Sequence, residues 1–141
     1  MPATTDLSPP SALEQRTWDT MATTPGLFIY VAEFEGSAVG TASTMLMPNV
    51  TYDCAPTAFI EAVVVIPKVR RRGIATALLQ RAIEDARQEG CNKMQLLSHK
   101  RHAGDGAHRL YTKVGFEPEA EGFRLYLGRV PTAVQEARSI R

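Results

Sequence analysis

The chain has 141 residues, of which 44% are hydrophobic and 22% charged, with a formal net charge of +1. This length suits one domain able to bury its own core, and the composition is that of an ordinary globular protein rather than a disordered or fibrous one. So small a net charge excludes a global field that would recruit nucleic acid or a membrane surface, and any basic cluster acts locally.

Residues 1–10 are rich in Pro, Ser and Thr, lack a periodic pattern and read as a flexible arm. Ser11 to Met21 reads as a short helix, with Ser11 as N-cap and Glu14 three residues on, the spacing of a capping box. Pro25-Gly26 ends it. Phe28 to Phe34 and Ala38 to Met47 read as strands of an antiparallel hairpin turned at Glu35-Gly36-Ser37, and Pro48 to Pro56 as a connector. Ala58 to Ile66 is apolar throughout except for Glu61, which suits a strand covered on both faces. Strand alternation puts Glu61 on the same face as Val63 and Val65.

From Gly73 to Glu89 the apolar residues Ile74, Ala77, Leu78, Ile83 and Ala86 follow a helical period, and Gly90 suits the position after the last turn. Lys93 to Ser98 reads as a strand, parallel to the previous one because a helix joins them. His99 to Gly106 is a polar loop, and Ala107 to Val114 a short helix ended by Gly115. Phe116 to Pro118 and Phe123 to Leu127 are expected as short terminal strands. The organisation expected is an arm over 1–10, an α/β domain over 11–130 and a tail over 131–141.

Cys54 and Cys91 are the only cysteines. They lack metal-ligand spacing and no secretory signal precedes them, so reduced thiols, no metal and a cytoplasmic location are expected. No apolar run approaches the roughly 18 residues that cross a bilayer.

The stretch Val63-Val64-Val65-Ile66-Pro67-Lys68-Val69-Arg70-Arg71-Arg72-Gly73-Ile74-Ala75-Thr76 carries the most chemistry. A β-branched run stops at a proline, a basic turn follows, and small residues open a helix. The first helical turn leaves backbone N–H groups without partners, and the dipole there favours an anion. Gly73 and Ala75 keep side chains clear, so a diphosphate can approach the backbone. The turn is neither a Walker A loop nor a dinucleotide fingerprint, since the lysine and glycine spacings differ. A solvated basic turn and a nucleic-acid patch both remain open on these residues alone.

Arg70-x-x-Gly73-x-Ala75 resembles the coenzyme A motif of the GNAT N-acetyltransferase superfamily. About 40 residues on, Ala107-His108-Arg109-Leu110-Tyr111-Thr112-Lys113-Val114-Gly115-Phe116 resembles a second signature of the same family. The order of elements between Phe28 and Leu127 is also similar.

The resemblance implies a mixed, mostly antiparallel twisted sheet flanked by helices, with a parallel pair splayed at the coenzyme site and the family's first strand and helix missing or shortened. It implies transfer of an acetyl group from acetyl-CoA to a primary amine of a small molecule, through a tetrahedral intermediate. Backbone groups around Val63, Val64 and Val65 would pair with the pantetheine arm, and Arg70, Arg71, Arg72, Gly73, Ile74, Ala75 and Thr76 would surround the pyrophosphate. His108 would line the same site. Tyr111 would protonate the departing thiolate, and Glu61 would take the ammonium proton.

Alternatives are a coenzyme A-binding module without turnover and an acetyltransferase acting on protein or peptide amines. No nucleic-acid or membrane partner is expected, and a homodimer is plausible from exposed sheet edges.

Overall fold

The structure, a computed structural model, describes residues 8–98 and 106–128. Helix α1 (Ala12–Thr23) begins on the expected capping box: the Glu14 N–H donates to Ser11 Oγ at 3.0 Å, and the Ser11 N–H donates to Glu14 Oε1 at 2.9 Å. The bond from the Ser11 backbone, seconded by its side chain, holds the Glu14 carboxyl below its ordinary value. Strands β1 (Leu27–Phe34) and β2 (Ser37–Met47) pair antiparallel. Glu35 and Gly36 turn the hairpin at φ 51° and 79°, the left-handed pair whose twist matches the flanking strands.

β2 also pairs antiparallel with β3 (Thr57–Val65), from Met47 opposite Thr57 to Gly40 opposite Val65. The connector before β3 holds a left-handed turn, with Tyr52, Asp53 and Cys54 at φ 55°, 56° and 64°. Each such residue costs about 1–2 kcal/mol. Lys93 holds this turn from the next strand: its Nζ donates to the Tyr52 hydroxyl at 3.3 Å and lies 4.7 Å from the ring centroid.

Helix α2 (Ile74–Gln88) leads to β4 (Lys93–Gln95), which runs parallel to β3 and completes the sheet order β1-β2-β3-β4. Gly90, at φ 75°, ends the helix as expected: its N–H donates to Arg87 O, and that of Cys91 to Ala86 O, both at 3.0 Å. Leu79, Ala82 and Ala42 are fully buried between α2 and the sheet, with Ile60 and Leu78 nearly so. Helix α3 (Ala107–Lys113) adds Leu110 and Tyr111, followed by Val114 and Phe116, to the rim of that core.

Three differences from the expected elements follow from pairing. β4 covers three residues rather than Lys93 to Ser98, because its ladder with β3 stops after Phe59 opposite Gln95. So short a strand leaves little edge to pair with, and residues 116–118 and 123–127 form no strand. Phe123, Leu125 and Leu127 are consequently 83% exposed or more, although Gly122 passes so near Leu97 that a Cβ would lie 2.6 Å from Leu97 Cδ2. The third difference lies within β3. Between Thr41 and Ser43, the single residue Ala42 of β2 faces both Ala62 and Val63, with Ala62 at φ 52°. This is a β-bulge.

The expected arm and tail fall mostly, and the His99–Gly106 loop almost wholly, outside the described residues. Cys54 and Cys91 are both free thiols, the latter raised above its ordinary value by burial and by Glu89. Among the described residues, no helix is long and apolar enough to cross a membrane, and no group of three or more His, Cys, Asp or Glu is placed to hold a metal ion.

Candidate active site

β3 pairs with β2 along one edge, but on the other with β4 only over Thr57, Ala58 and Phe59. From Ile60 to Val65 that second edge has no ladder partner among the described residues. Backbone N–H and C=O groups at such an edge are a template for an extended ligand. Val63, Val64 and Val65 lie along it.

The strand leads directly to the basic turn. Ile66 N–H donates to Val39 O at 2.9 Å, and Pro67–Val69 make one tight turn with Val69 buried. Arg71 at φ 66° and Gly73 at φ 78° then redirect the chain into α2. Gly73 is the N-cap and offers no side-chain cap, and the first intrahelical bond is Ala77 N–H to Gly73 O at 3.0 Å. The N–H groups of Ile74, Ala75 and Thr76 therefore have no acceptor among the described residues. A Cβ placed at Gly73 meets nothing within 4 Å, so the space beside these donors is open. Three free donors, an open approach and the helix dipole fit a phosphate-bearing group.

The arginines divide by what their side chains touch. Arg70 Nε donates to Val65 O at 3.3 Å, binding the turn back to the strand. The Arg72 guanidinium lies 5.2 Å from the centroid of the Phe34 ring on β1. Arg71, also exposed, makes no such contact among the described residues.

The bulge corrects the expected facing of Glu61. Ile60, Val63 and Val65 all pack against the α2-side core, which is possible only because the extra residue reverses the alternation between them. Glu61 thus lies on the opposite face from Val63 and Val65, exposed. Nothing in the residue types announces the bulge, since alanine is indifferent in composition.

Tyr111 is half-buried in α3 against the α2-side core. Gly115, at φ 113°, ends α3: its N–H donates to Thr112 O at 3.1 Å, and that of Phe116 to Tyr111 O at 3.0 Å. The Phe116 ring then meets Tyr111 edge-on, with centroids 6.3 Å apart and planes at 74°. The spacing from Tyr111 to Gly115 and Phe116 is thus a helix stop that fixes the tyrosine. His108, on the first turn of α3, is half-buried, and its Nε2 is shielded from solvent without a hydrogen-bond partner among the described residues.

Sequence reasoning missed Tyr30 and Gly40. The Tyr30 hydroxyl donates to Asp85 Oδ2 at 2.7 Å, tying β1 to α2. Gly40 lets α2 approach the sheet: a Cβ there would lie 3.1 Å from Val64 O and 3.3 Å from both Ile74 Cγ2 and Leu78 Cδ1. Glycine inside a strand signals such close approach and was the one available clue.

A strand edge without a ladder partner among the described residues, beside an uncapped helix N-terminus, is an arrangement that can take an extended ligand ending in an anion. The chain belongs to the acetyltransferase (GNAT) family, whose model matches residues 2–116. It is 35% identical over 92 residues to a glucosamine 6-phosphate N-acetyltransferase of Trypanosoma brucei brucei, a match covering 65% of this chain and 59% of that protein. Among solved structures it is similar to an Agrobacterium tumefaciens protein assigned as an acetyltransferase, with TM-score 0.79, 32% identity and coverage of 87% of this chain and 84% of that one. It is also similar to an acetyltransferase of Trypanosoma brucei, with TM-score 0.71, 31% identity and coverage of 85% and 82%.

Proposed function

We propose that the chain moves an acetyl group from acetyl-CoA to a primary amine of a small molecule. The observation that carries this is the edge of β3 from Ile60 to Val65, without a ladder partner among the described residues, running into the N–H groups of Ile74, Ala75 and Thr76, which have no acceptor among them. The edge pairs with the pantetheine amides through Val63 and its neighbours, and the three donors, framed by Arg70, Arg71, Arg72 and Gly73, take the pyrophosphate. His108 lines the same site, and its shielded Nε2 supports a partner there.

The amine attacks the thioester carbonyl carbon in the gap between β3 and β4, giving a tetrahedral intermediate. As the C–S bond breaks, Tyr111 gives its hydroxyl proton to the sulfur, and Glu61 takes the proton leaving the nitrogen. The two side chains sit on opposite sides of β3, which supports separate acid and base roles. The acceptor would be an amino-sugar phosphate in the first instance, because a relative is a glucosamine 6-phosphate N-acetyltransferase. The unpaired outer edge of β1 supports a homodimer, and two free thiols suit a cytoplasmic enzyme.

The test is thiol release from acetyl-CoA across a panel of amino-sugar phosphates, other small amines and peptides. Turnover on a small amine is the expected result. Coenzyme A binding without turnover on any of them would point to a binding module, and turnover on peptides alone to a protein-directed enzyme.

A further inference from the structure

We propose that Phe34 is a positioning residue for the anion cradle, holding Arg72 so that the loop is set before the coenzyme arrives. This rests on the cradle being the coenzyme A site. The loop has little else to hold it. Between the Arg70 N–H, which donates to Pro67 O, and the Gly73 C=O, which accepts from Ala77, its backbone makes no backbone hydrogen bond among the described residues. Arg71 and Gly73 on either side of Arg72 are in the left-handed region, where no regular ladder continues.

The loop is instead fastened by two side chains. Arg70 ties its start to Val65 O, and Arg72 ties its end to the Phe34 ring at 5.2 Å. Phe34 is the last residue of β1, opposite Ser37 across a tight turn, so its ring stands on a rigid support. Arg72 immediately precedes the N-cap of α2, so fixing its side chain fixes the direction in which the three free N–H groups begin. A site already ordered binds its ligand without the cost of ordering it. Arg72 on this account acts through its hold on the ring rather than by reaching the phosphates.

The experiment measures coenzyme A binding by calorimetry for wild type, Phe34→Leu, Phe34→Trp, Arg72→Gln and the Phe34→Leu/Arg72→Gln pair, with melting temperatures on the same samples. A cation over a ring at an exposed site contributes enough for Phe34→Leu to weaken binding about 2–5-fold, and Phe34→Trp restores wild-type affinity because indole is the better ring. In the Arg72→Gln background, Phe34→Leu causes no further loss, since the two act as one unit. Arg72 is exposed, so its variant probes the pair without disturbing the core.

Binding unchanged by Phe34→Leu, or an equal loss with and without Arg72, would overturn the proposal and leave Phe34 as packing. Wild type that binds no coenzyme A would overturn the site reading and this inference with it.

Discussion

Gly73→Ala and Gly40→Ala are the same change with opposite expected signatures. At Gly73 the new Cβ meets no protein atom within 4 Å, so the only folding cost is an alanine at φ 78°. That is about 1–2 kcal/mol, or roughly 3–6 °C of melting temperature for a chain of this size. The methyl group stands in the open space beside the Ile74, Ala75 and Thr76 N–H groups, where it holds a diphosphate off the backbone. Affinity for coenzyme A should fall at least about tenfold, equivalent to 1.4 kcal/mol.

At Gly40 the Cβ would press on Val64 O at 3.1 Å, a backbone atom that cannot swing aside, and on Ile74 and Leu78 at 3.3 Å. Such overpacking costs about 1–3 kcal/mol and shifts α2 against the sheet. Thermal unfolding and a calorimetric titration with coenzyme A separate the two variants. Gly73→Ala that binds coenzyme A as tightly as wild type would refute the cradle. Gly40→Ala with wild-type melting would refute the close approach of α2.

Tyr111→Phe keeps the edge-on contact with Phe116, so coenzyme A affinity should stay within about twofold while kcat falls about 10²–10⁴-fold; an unchanged kcat removes Tyr111 from the acid role. Glu61→Gln should lower kcat, and a kcat matching wild type would show that another group or water takes the proton. Burial, then the hydrogen bond to Asp85, pushes the Tyr30 phenol above its ordinary value of 10.0. The folded chain therefore holds that proton more tightly than the unfolded one, so this contribution is level below pH 10 and is lost as pH rises beyond it. Tyr30→Phe should soften the alkaline fall in melting temperature, and an equally steep fall would show that other groups cause it.

Much of the fold was legible because local chemistry and tertiary structure agree. Ser11 and Glu14, Gly36, Gly90 and Gly115 each stand where a cap or turn needs them, and each is found there. The turn into α2 was legible for the same reason, as Gly73 at φ 78° is required by the backbone itself. What escaped depends on partners distant in sequence. No pattern at 62 reveals a bulge, because it arises from the register of β3 against β2. Arg70 and Arg72 look alike in a run of three, yet one is held by Val65 and the other by Phe34, 38 positions upstream of Arg72 in the chain. The apolar residues of 123–127 have strand composition, but a strand also needs an edge, and β4 ends too early to give one.

The bulge at Ala62 also makes this strand intolerant of a single added residue. Up to Ile60, even-numbered side chains meet the core; from Val63 on, odd-numbered ones do. Adding one residue here would leave composition and hydrophobicity almost untouched, yet it would turn Val64 inward in place of Val63 and Val65 and rotate the basic turn's approach to α2. Substitutions along β3 can be graded by size and polarity, whereas a shift by one is all or nothing. The strand counts its residues, and the carboxylate of Glu61 on one side and the valines on the other hold their places only while no residue is added between them.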